Sequence, residues 1–473
     1  MMKRNNDKQY YTRIVLLLCV LLAVGTLACV IVLGAGGDWD TYFSSSLVRS
    51  GMVYFLIGLC AMLLVLLVCM IIISYRASSA IREQAKQDKL LEKKDFESLK
   101  RLGVTKGRRD TNKEKGRFSM LQKIDKKMAF YKAPSVKKIS LEEFCNAFRN
   151  YAAGTLGLYY TIEDIRRFVA GMSVTRLILL QGMSGTGKTS LAYAMGQFLD
   201  NESVIVPIQP MWKERSDLLG YFNEFTKKFN ETTLLRKMYE AGYSKELYIT
   251  VLDEVNISRI EYYFAEFLSL LEIPDPSSRY LTVVNDVWAK DPVRLKEGRI
   301  QLPTNMWFVG TANNDDSTFS ISDKVYDRAM VLTLDHKCVP FQVPKSAPVR
   351  ITYDAWCELV GEAKLRYELS AEMGRKIRVI DAYLMETFRI SFGNRIMKQI
   401  REYVPVMIAC GGTELGAIDD ILSKKVLRKL EQQNPIHVQN AIEPLMALID
   451  EQFGDGLSQC KEYLHRFEMI NYL

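Results

Sequence analysis

The chain has 473 residues, of which 48% are hydrophobic and 25% charged, and its formal net charge is +8. This length and apolar content can supply the cores of two or three domains, which excludes a chain that is disordered throughout. The nine cysteines form no CxxC pair and the three histidines are dispersed. The sequence therefore predicts neither a disulfide framework nor a Cys/His metal site.

Two apolar segments lie near the amino terminus, at residues 14–34 and 52–75. Each is long enough to cross a bilayer as a helix, which needs about 20 residues. A cleaved signal peptide is the alternative for the first segment, but its apolar part is long and no small-residue cleavage site follows. Lysine and arginine flank the pair on its outer sides, whereas the connection 35–51 holds one arginine. The positive-inside rule predicts a two-pass protein of the inner (cytoplasmic) membrane with both termini cytoplasmic.

Residues 76–132 are strongly basic, with 18 lysine and arginine residues against 8 acidic ones. The first part has the pattern of a polar helix, and the glycine-containing part that follows lacks periodicity. A basic stretch beside a membrane is attracted to anionic lipid headgroups, so contact with lipid, or plain solvation of the charges, is favoured over a nucleic-acid partner. We interpret this stretch as a tether. Short helices follow it, and Ser140 with Glu143 has the spacing of a capping box.

A glycine-rich turn at residues 182–189, GMSGTGKT, stands between an apolar strand pattern and a helical one. It fits GxxxxGK[ST], the turn whose backbone N–H groups surround phosphate oxygens. Lys188 would reach the β- and γ-phosphates, and Thr189 would offer its hydroxyl to Mg²⁺. The predicted nucleotide-binding residues are Gly182, Met183, Ser184, Gly185, Thr186, Gly187, Lys188, Thr189 and Ser190.

A second apolar strand, LYITVLDEVN, ends in Asp253 and Glu254. In a parallel sheet this end lies beside the turn, so Asp253 could hold the water shell of Mg²⁺ and Glu254 could polarise the attacking water. A third strand, NMWFVGTANND, ends on Asn313, which could orient that water, with Asn314 the weaker candidate. Arg328 precedes the last strand, where an arginine is commonly a surface residue but in a ring would act as an arginine finger on a neighbouring subunit.

Five strands are predicted, at about residues 176–181, 203–208, 247–252, 305–311 and 329–334. Right-handed crossovers between them predict an α/β fold with a parallel sheet covered on both faces. After about Pro340 the pattern is helical.

With these motifs the sequence, over about residues 140–473, resembles the AAA+ P-loop NTPases. Within them it is most similar to the helix-2-insert group, which includes the MoxR-type chaperones and McrB-like motors. The resemblance implies a sensor 1 in GTANN, a sensor 2 at Arg395, ATP and Mg²⁺ as cofactors, and a homo-oligomeric ring, expected to be a hexamer. The predicted divisions are a cytoplasmic N-terminus at 1–13, transmembrane helices at 14–34 and 52–75, an external loop at 35–51, the tether at 76–132, an AAA+ nucleotide-binding domain at 133–339 and a C-terminal helical lid at 340–473.

Two segments, QPMWKERSDLLGYFNEFTKKF and DEVNISRIEYYFAEFLSLLE, are most similar to McrB-like proteins. By this resemblance Asn256 and Arg259 act at the subunit interface, or else they are polar residues that cap a helix start. Trp212, Tyr221 and Phe222 lie in the insertion, where aromatic residues serve either the core or a central pore. GTANNDDST departs from the corresponding loop of the GTP-using restriction motor, which favours ATP while leaving GTP open.

These features predict a membrane-anchored AAA+ ATPase that couples ATP hydrolysis to remodelling of a protein client at the cytoplasmic membrane face. One alternative is a McrB-like defence motor that acts on nucleic acid with a nuclease partner. No nuclease, zinc-ribbon or helix-turn-helix signature is recognisable in this chain, so nucleic acid is not favoured. A second alternative is a nucleotide-switched membrane scaffold with little turnover.

Overall fold

The computed structural model describes residues 116–136, 138–313 and 318–470, with side chains described as far as residue 466. The predicted transmembrane helices 14–34 and 52–75, most of the tether and Asn314 lie outside the described residues. Within the described residues, no helix combines the length and the apolar character that crossing a membrane requires.

The predicted parallel five-stranded sheet is confirmed. The strands are β1 Leu177–Gly182, β2 Val204–Pro207, β3 Phe222–Asn223, β4 Lys228–Phe229, β5 Tyr248–Asp253, β6 Tyr280–Thr282, β7 Arg299–Gln301, β8 Met306–Asn313 and β9 Met330–Thr333. The five parallel strands lie in the order β2-β5-β8-β1-β9. Two short antiparallel pairs, β3-β4 and β6-β7, lie in the insertions between them.

Helices cover both faces of the sheet and form the C-terminal part of the chain. They are α1 Ser119–Met128, α2 Leu141–Leu156, α3 Ile162–Val174, α4 Lys188–Phe198, α5 Arg215–Leu219, α6 Thr233–Ala241, α7 Ile260–Tyr263, α8 Ala265–Leu271, α9 Asp323–Tyr326, α10 Tyr353–Arg366, α11 Ala371–Phe388, α12 Gly393–Ala409, α13 Glu414–Ile421, α14 Pro435–Phe453 and α15 Ser458–Ile470. A π-helical segment, Leu422–Val426, and a 3-10 segment, Leu427–Gln432, follow α13.

Strand β1 lies between two hydrophobic cores. Its side chains alternate between the faces of the sheet, as the period of two in a strand requires. Ile178 and Leu180 belong to the core formed with α2, α3, α4 and the C-terminal helices. Leu177 and Leu179 belong to the other core, which includes α6 and α8. Because both faces of the sheet are buried, the sequence of each central strand is a continuous run of apolar residues.

Helix α2 begins at the predicted capping box. The backbone N–H of Glu143 donates to Ser140 Oγ at 3.2 Å, and the backbone N–H of Ser140 donates to Glu143 Oε2 at 2.9 Å. These two bonds satisfy N–H groups that a helix end leaves without partners. The first turn of α2 is thereby fixed, and the helix packs its apolar face on α4 and α12.

The last part of the segment predicted to be the tether packs into the globular unit. Phe118 and Leu121 are fully buried. The Arg117 guanidinium is also buried, where its Nη1 lies 2.6 Å from Asp286 Oδ1 and its Nη2 lies 2.7 Å from Asp291 Oδ2. The charge run around these residues hides their apolar pattern in the sequence. Arg117 is stable inside because two carboxylates from the insertion between β6 and β7 offset its desolvation.

Candidate active site

The glycine-rich turn joins the carboxyl end of β1 to the first residue of α4. Gly182, Gly185 and Gly187 have φ angles of 140°, 76° and 91°, a region that side chains rarely adopt. A Cβ at Gly182 would lie 2.3 Å from the backbone oxygen of Leu334. The turn therefore needs glycine both for its conformation and for space, and it ends at a helix N-terminus, where unpaired N–H groups favour anions.

Lys188 places its ammonium group inside the turn. Its Nζ donates to the carbonyl of Gly182 at 2.8 Å and to that of Met183 at 2.7 Å, and the residue is buried. The hydroxyl of Tyr160 donates to the carbonyl of Gly187 at 3.0 Å, and burial raises the pKa of this phenol, so it stays protonated as a donor. Lys188 thus holds the first part of the turn and Tyr160 holds its last part, before α4.

Asp253 ends β5 beside the turn, as expected. Its Oδ1 accepts from Thr189 Oγ1 at 2.7 Å and from Thr311 Oγ1 at 2.8 Å. Thr189 and Asp253 thus offer a hydroxyl and a carboxylate oxygen to one small space, the hard oxygen ligands that Mg²⁺ takes together with phosphates and water. The donor set fits a magnesium ion shared with a bound nucleotide. Among the described residues, no cluster of three or more His, Cys, Asp or Glu side chains could hold a metal by itself.

Glu254 follows in an uncommon backbone conformation. Its φ and ψ of 55° and 56° lie in the left-handed region, and its backbone N–H donates to Thr311 Oγ1 at 2.9 Å. Non-glycine residues in this region are uncommon and collect at functional sites. With this conformation the backbone turns away from the direction of β5 immediately after Asp253. The Glu254 side chain is exposed at the carboxyl edge of the sheet.

Asn313 ends β8 directly beside the turn, since it lies opposite Gly182 in the register of β1 and β8. Its backbone carbonyl accepts from Asn256 Nδ2 at 2.8 Å. Asn256 is buried and also donates to Thr318 Oγ1 at 2.9 Å, which favours a role in holding the end of β8 over contact with another subunit. Arg259 is exposed, with its guanidinium 5.3 Å from the centre of the Phe319 ring.

The two predicted arginines lie together. Arg328 Nη2 donates to Glu272 Oε2 at 2.7 Å, and Arg395 Nη2 donates to the other oxygen of the same carboxylate. Glu272 directly follows α8 as its C-cap, so one carboxylate joins residues from three separate parts of the chain.

This arginine pair is separated from the turn of the same chain. Met330, two residues after Arg328, is level with Ile178 at the start of β1. Four strand residues, about 13 Å, separate Ile178 from Gly182 at the turn. The structure therefore brings Lys188, Thr189, Asp253, Glu254 and Asn313 to one edge of the sheet, whereas Arg328 and Arg395 meet at Glu272.

Three residues of this region were missed by sequence analysis. The hydroxyl of Thr311 lies between the Asp253 carboxylate and the backbone N–H of Glu254. In the sequence it is indicated only by a polar residue within an apolar strand. Tyr160 reaches the turn from the loop before α3. Glu272 has no local signal, because its partners Arg328 and Arg395 come from distant parts of the chain.

Two of the three aromatic residues considered for a central pore, Trp212 and Phe222, pack against other aromatic rings. Trp212 lies edge-on to Tyr263, with 6.0 Å between ring centres, and Phe222 lies edge-on to Trp288 at 5.6 Å. Tyr221 is about half exposed, whereas Phe225 at the tip of the β3-β4 hairpin is 99% exposed. The hairpin tip is therefore the better candidate for contact with another molecule.

Residues 177–329 match the family model of the AAA domain of the dynein-related subfamily. The match covers about a third of the chain and the greater part of the parallel sheet. Over these residues the chain is similar to an AAA domain. The match begins at β1 and ends at Ala329, and so includes the turn, the Asp253-Glu254 pair and Arg328. An AAA domain of this kind indicates a P-loop ATPase that binds nucleotide.

No curated protein matches the chain. Among solved structures, a candidate ATPase from Cytophaga hutchinsonii is 14% identical with a TM-score of 0.40, covering 65% of this chain and 88% of its own. A full-length MCM homolog from Methanopyrus kandleri is 11% identical with a TM-score of 0.34, covering 61% of each chain. Both likenesses are too distant to add to the AAA domain match.

Proposed function

We propose that this protein is a membrane-anchored AAA+ ATPase that assembles into a hexameric ring. It would couple hydrolysis of Mg²⁺-bound ATP to the remodelling of a protein client at the cytoplasmic membrane face. The observation that carries the proposal is the hydrogen-bonded series from Thr189 through Asp253 and Thr311 to Glu254. This series provides oxygen ligands for Mg²⁺ and fixes the backbone that carries the Glu254 carboxylate. Nucleotide binding alone does not require that carboxylate.

Each residue has a chemical task in this proposal. Lys188 and the N–H groups at the start of α4 bind the β- and γ-phosphates of ATP. Thr189 and Asp253 hold Mg²⁺, which neutralises phosphate charge when bound. Glu254 accepts a proton from the attacking water, and Asn313 orients that water.

The ring is supported by the position of the arginine pair. Arg328 and Arg395 both donate to Glu272, and Arg328 precedes β9, whose first residue lies level with Ile178 and not with the phosphate turn. An arginine that stabilises the transferring phosphoryl group must reach it, so these two would serve the nucleotide of a neighbouring subunit. Hydrolysis would then require at least two subunits.

Membrane anchoring and a protein client are supported by the sequence. The two apolar segments before residue 76 can span a bilayer, and the basic stretch that follows would keep the AAA domain close to anionic lipid. The fully exposed Phe225 gives the insertion an apolar contact for a polypeptide.

The test is phosphate release by purified full-length protein with ATP and with GTP over a series of protein concentrations. Lys188→Ala should remove binding and hydrolysis, whereas Glu254→Gln should keep nucleotide binding and lose hydrolysis. Activity per subunit should rise with protein concentration, because the arginines act between subunits. Nucleotide binding without hydrolysis at any concentration would contradict the ATPase and support the nucleotide-switched scaffold.

A McrB-like motor on nucleic acid is the second candidate, and the excess of basic residues at 76–132 favours it. It predicts that the protein binds duplex DNA with an affinity that falls steeply as salt rises. Binding only to vesicles that contain anionic lipid, with none to duplex DNA at low salt, would favour the membrane role of this stretch.

A further inference from the structure

The short segment that precedes Arg328 is held by the C-terminal helical part of the chain. Arg428 forms an ion pair with Asp323, the first residue of α9, and its guanidinium lies 3.4 Å from the centre of the Tyr326 ring. Arg428 thus contacts both ends of this four-residue helix. A helix of this length has little stability of its own, so contacts with neighbouring elements must fix it.

The next residue, Asp327, is held from the same side. Its backbone carbonyl accepts from Gln399 Nε2 at 3.1 Å and from Lys425 Nζ at 3.4 Å. Lys429 Nζ lies 3.5 Å from the Asp327 carboxylate. Asp327 directly precedes Arg328, so these contacts fix the backbone from which the Arg328 side chain extends.

Three of these four residues belong to an irregular part of the C-terminal helices. Lys425 lies in the π-helical segment Leu422–Val426, and Arg428 and Lys429 lie in the 3-10 segment Leu427–Gln432. Departures from α-helical pitch often occur at functional sites, because they re-aim side chains. Here they direct the side chains of Lys425, Arg428 and Lys429 at a segment that carries two carboxylates.

Tyr326 connects this arrangement to the phosphate turn. Its hydroxyl accepts from Gln181 Nε2, and Gln181 is the residue before Gly182. Tyr326 is therefore held by Arg428 on its ring and by the end of β1 at its hydroxyl. The segment before Arg328 has little freedom to move without one of these contacts breaking.

We propose that Arg428 is a positioning residue for Arg328. Through Asp323 and Tyr326, it fixes the segment from which Arg328 reaches the nucleotide bound by a neighbouring copy of the chain. The inference rests on the proposed function and adds to it that the C-terminal helices of one subunit set the hydrolysis rate in the next. Small displacements of a catalytic group can cost orders of magnitude in rate, so loss of this support should be visible in kcat.

The first experiment measures steady-state ATP hydrolysis by full-length Arg428→Ala, Arg428→Lys and Asp323→Asn. Arg428→Ala and Asp323→Asn should lower kcat by about tenfold or more, with the KM for ATP and the Kd of a fluorescent ATP analogue within about twofold of wild type. Arg428→Lys keeps the charge and should recover part of kcat. Arg350→Ala, which breaks an exposed ion pair with Asp200, is the matched control and should change neither value.

The second experiment mixes two variants of low activity. Lys188→Ala has a defective nucleotide site but an intact Arg328, whereas Arg428→Ala has an intact nucleotide site but a misplaced Arg328. Mixed rings contain sites that combine the intact halves, so the mixture should hydrolyse ATP faster than the sum of the separate variants. A residue that acts only on its own subunit, or only on folding, would give no such gain.

The outcomes separate the two proposals. Wild-type kcat in Arg428→Ala and Asp323→Asn, or absence of any gain on mixing, overturns the positioning role and leaves the ATPase standing. Loss of analogue binding in both variants also overturns it, since the defect would then be structural. A wild-type protein that hydrolyses no ATP overturns both proposals.

Discussion

Thr311 and Asp253 are joined by a hydrogen bond of 2.8 Å between the hydroxyl and Oδ1, and the same hydroxyl accepts from the backbone N–H of Glu254. Thr311→Val keeps the shape of the side chain and removes both bonds. We expect kcat for ATP to fall by about tenfold or more, because the left-handed conformation of Glu254 loses its partner and its carboxylate loses its alignment. Steady-state hydrolysis together with analogue binding measures this.

Thr250 is the matched control for that substitution. It lies on β5, is fully buried, and its hydroxyl has no hydrogen-bond partner within the described part of the chain. Thr250→Val should leave kcat unchanged and raise the free energy of unfolding by up to about 1 kcal/mol, because a buried polar group without a partner is removed. Equal losses of kcat in both variants would contradict the role given to Thr311.

Substitution by alanine should lower the free energy of unfolding more at Gly182 than at Gly185. Gly182→Ala places a Cβ 2.3 Å from a backbone oxygen at a φ of 140°, and we expect the free energy of unfolding to fall by about 3 kcal/mol or more. Gly185→Ala meets no atom within 4 Å, so only the left-handed φ costs energy, about 1 kcal/mol. Denaturant unfolding of both variants measures the difference, and similar losses would rule out the packing of Gly182 against Leu334 as the cause.

Arg117 should contribute to stability although it lies in a basic stretch. Arg117→Ala leaves Asp291, whose side chain is 5% exposed, without its cationic partner. We expect the free energy of unfolding to fall by about 3 kcal/mol. Arg299→Ala breaks an exposed pair with Glu297 and should change it by less than about 1 kcal/mol. Thermal or denaturant unfolding distinguishes the two, and an Arg117→Ala protein as stable as wild type would place this residue in the tether.

Lys425 should make stability depend on pH. Burial lowers the pKa of its ammonium group to about 7 in the folded protein, against an ordinary value of 10.5. Between these values the unfolded chain binds more protons than the folded one, so the contribution of Lys425 to the free energy of unfolding rises with pH. Relative to Lys425→Met, the wild type should gain on the order of 1 kcal/mol per pH unit between pH 7.5 and 8.5. Parallel curves for the two proteins over this range would mean that the pKa is not lowered.

The sheet and the nucleotide turn could be predicted from the sequence because their causes are local. A parallel strand buried on both faces is a continuous apolar run, and a phosphate turn needs glycine at fixed spacing. The register then brings Asp253 and Asn313 to the same edge of the sheet without further information. The capping box of α2 is equally local, since Ser140 and Glu143 are three residues apart.

The remaining features depend on residues that are distant in the chain. Nothing near Arg395 indicates that it shares a carboxylate with Arg328, because Glu272 comes from a helix more than a hundred residues earlier. The support of the segment before Arg328 depends on a π-helical segment, which has no clear sequence pattern. Arg117 was assigned to the tether because its partners, Asp286 and Asp291, lie in an insertion whose fold the sequence pattern does not specify.

The buried Arg117 also has a mechanical consequence. It lies in the last part of the basic stretch 76–132, and its guanidinium is bonded to the insertion between β6 and β7. Tension applied to the chain before Gly116 would therefore load Asp286 and Asp291 first. Their bonds to Arg117 would have to break before the force reached β1 or the phosphate turn. The phosphate turn is thus protected from tension that is applied to the chain before Gly116.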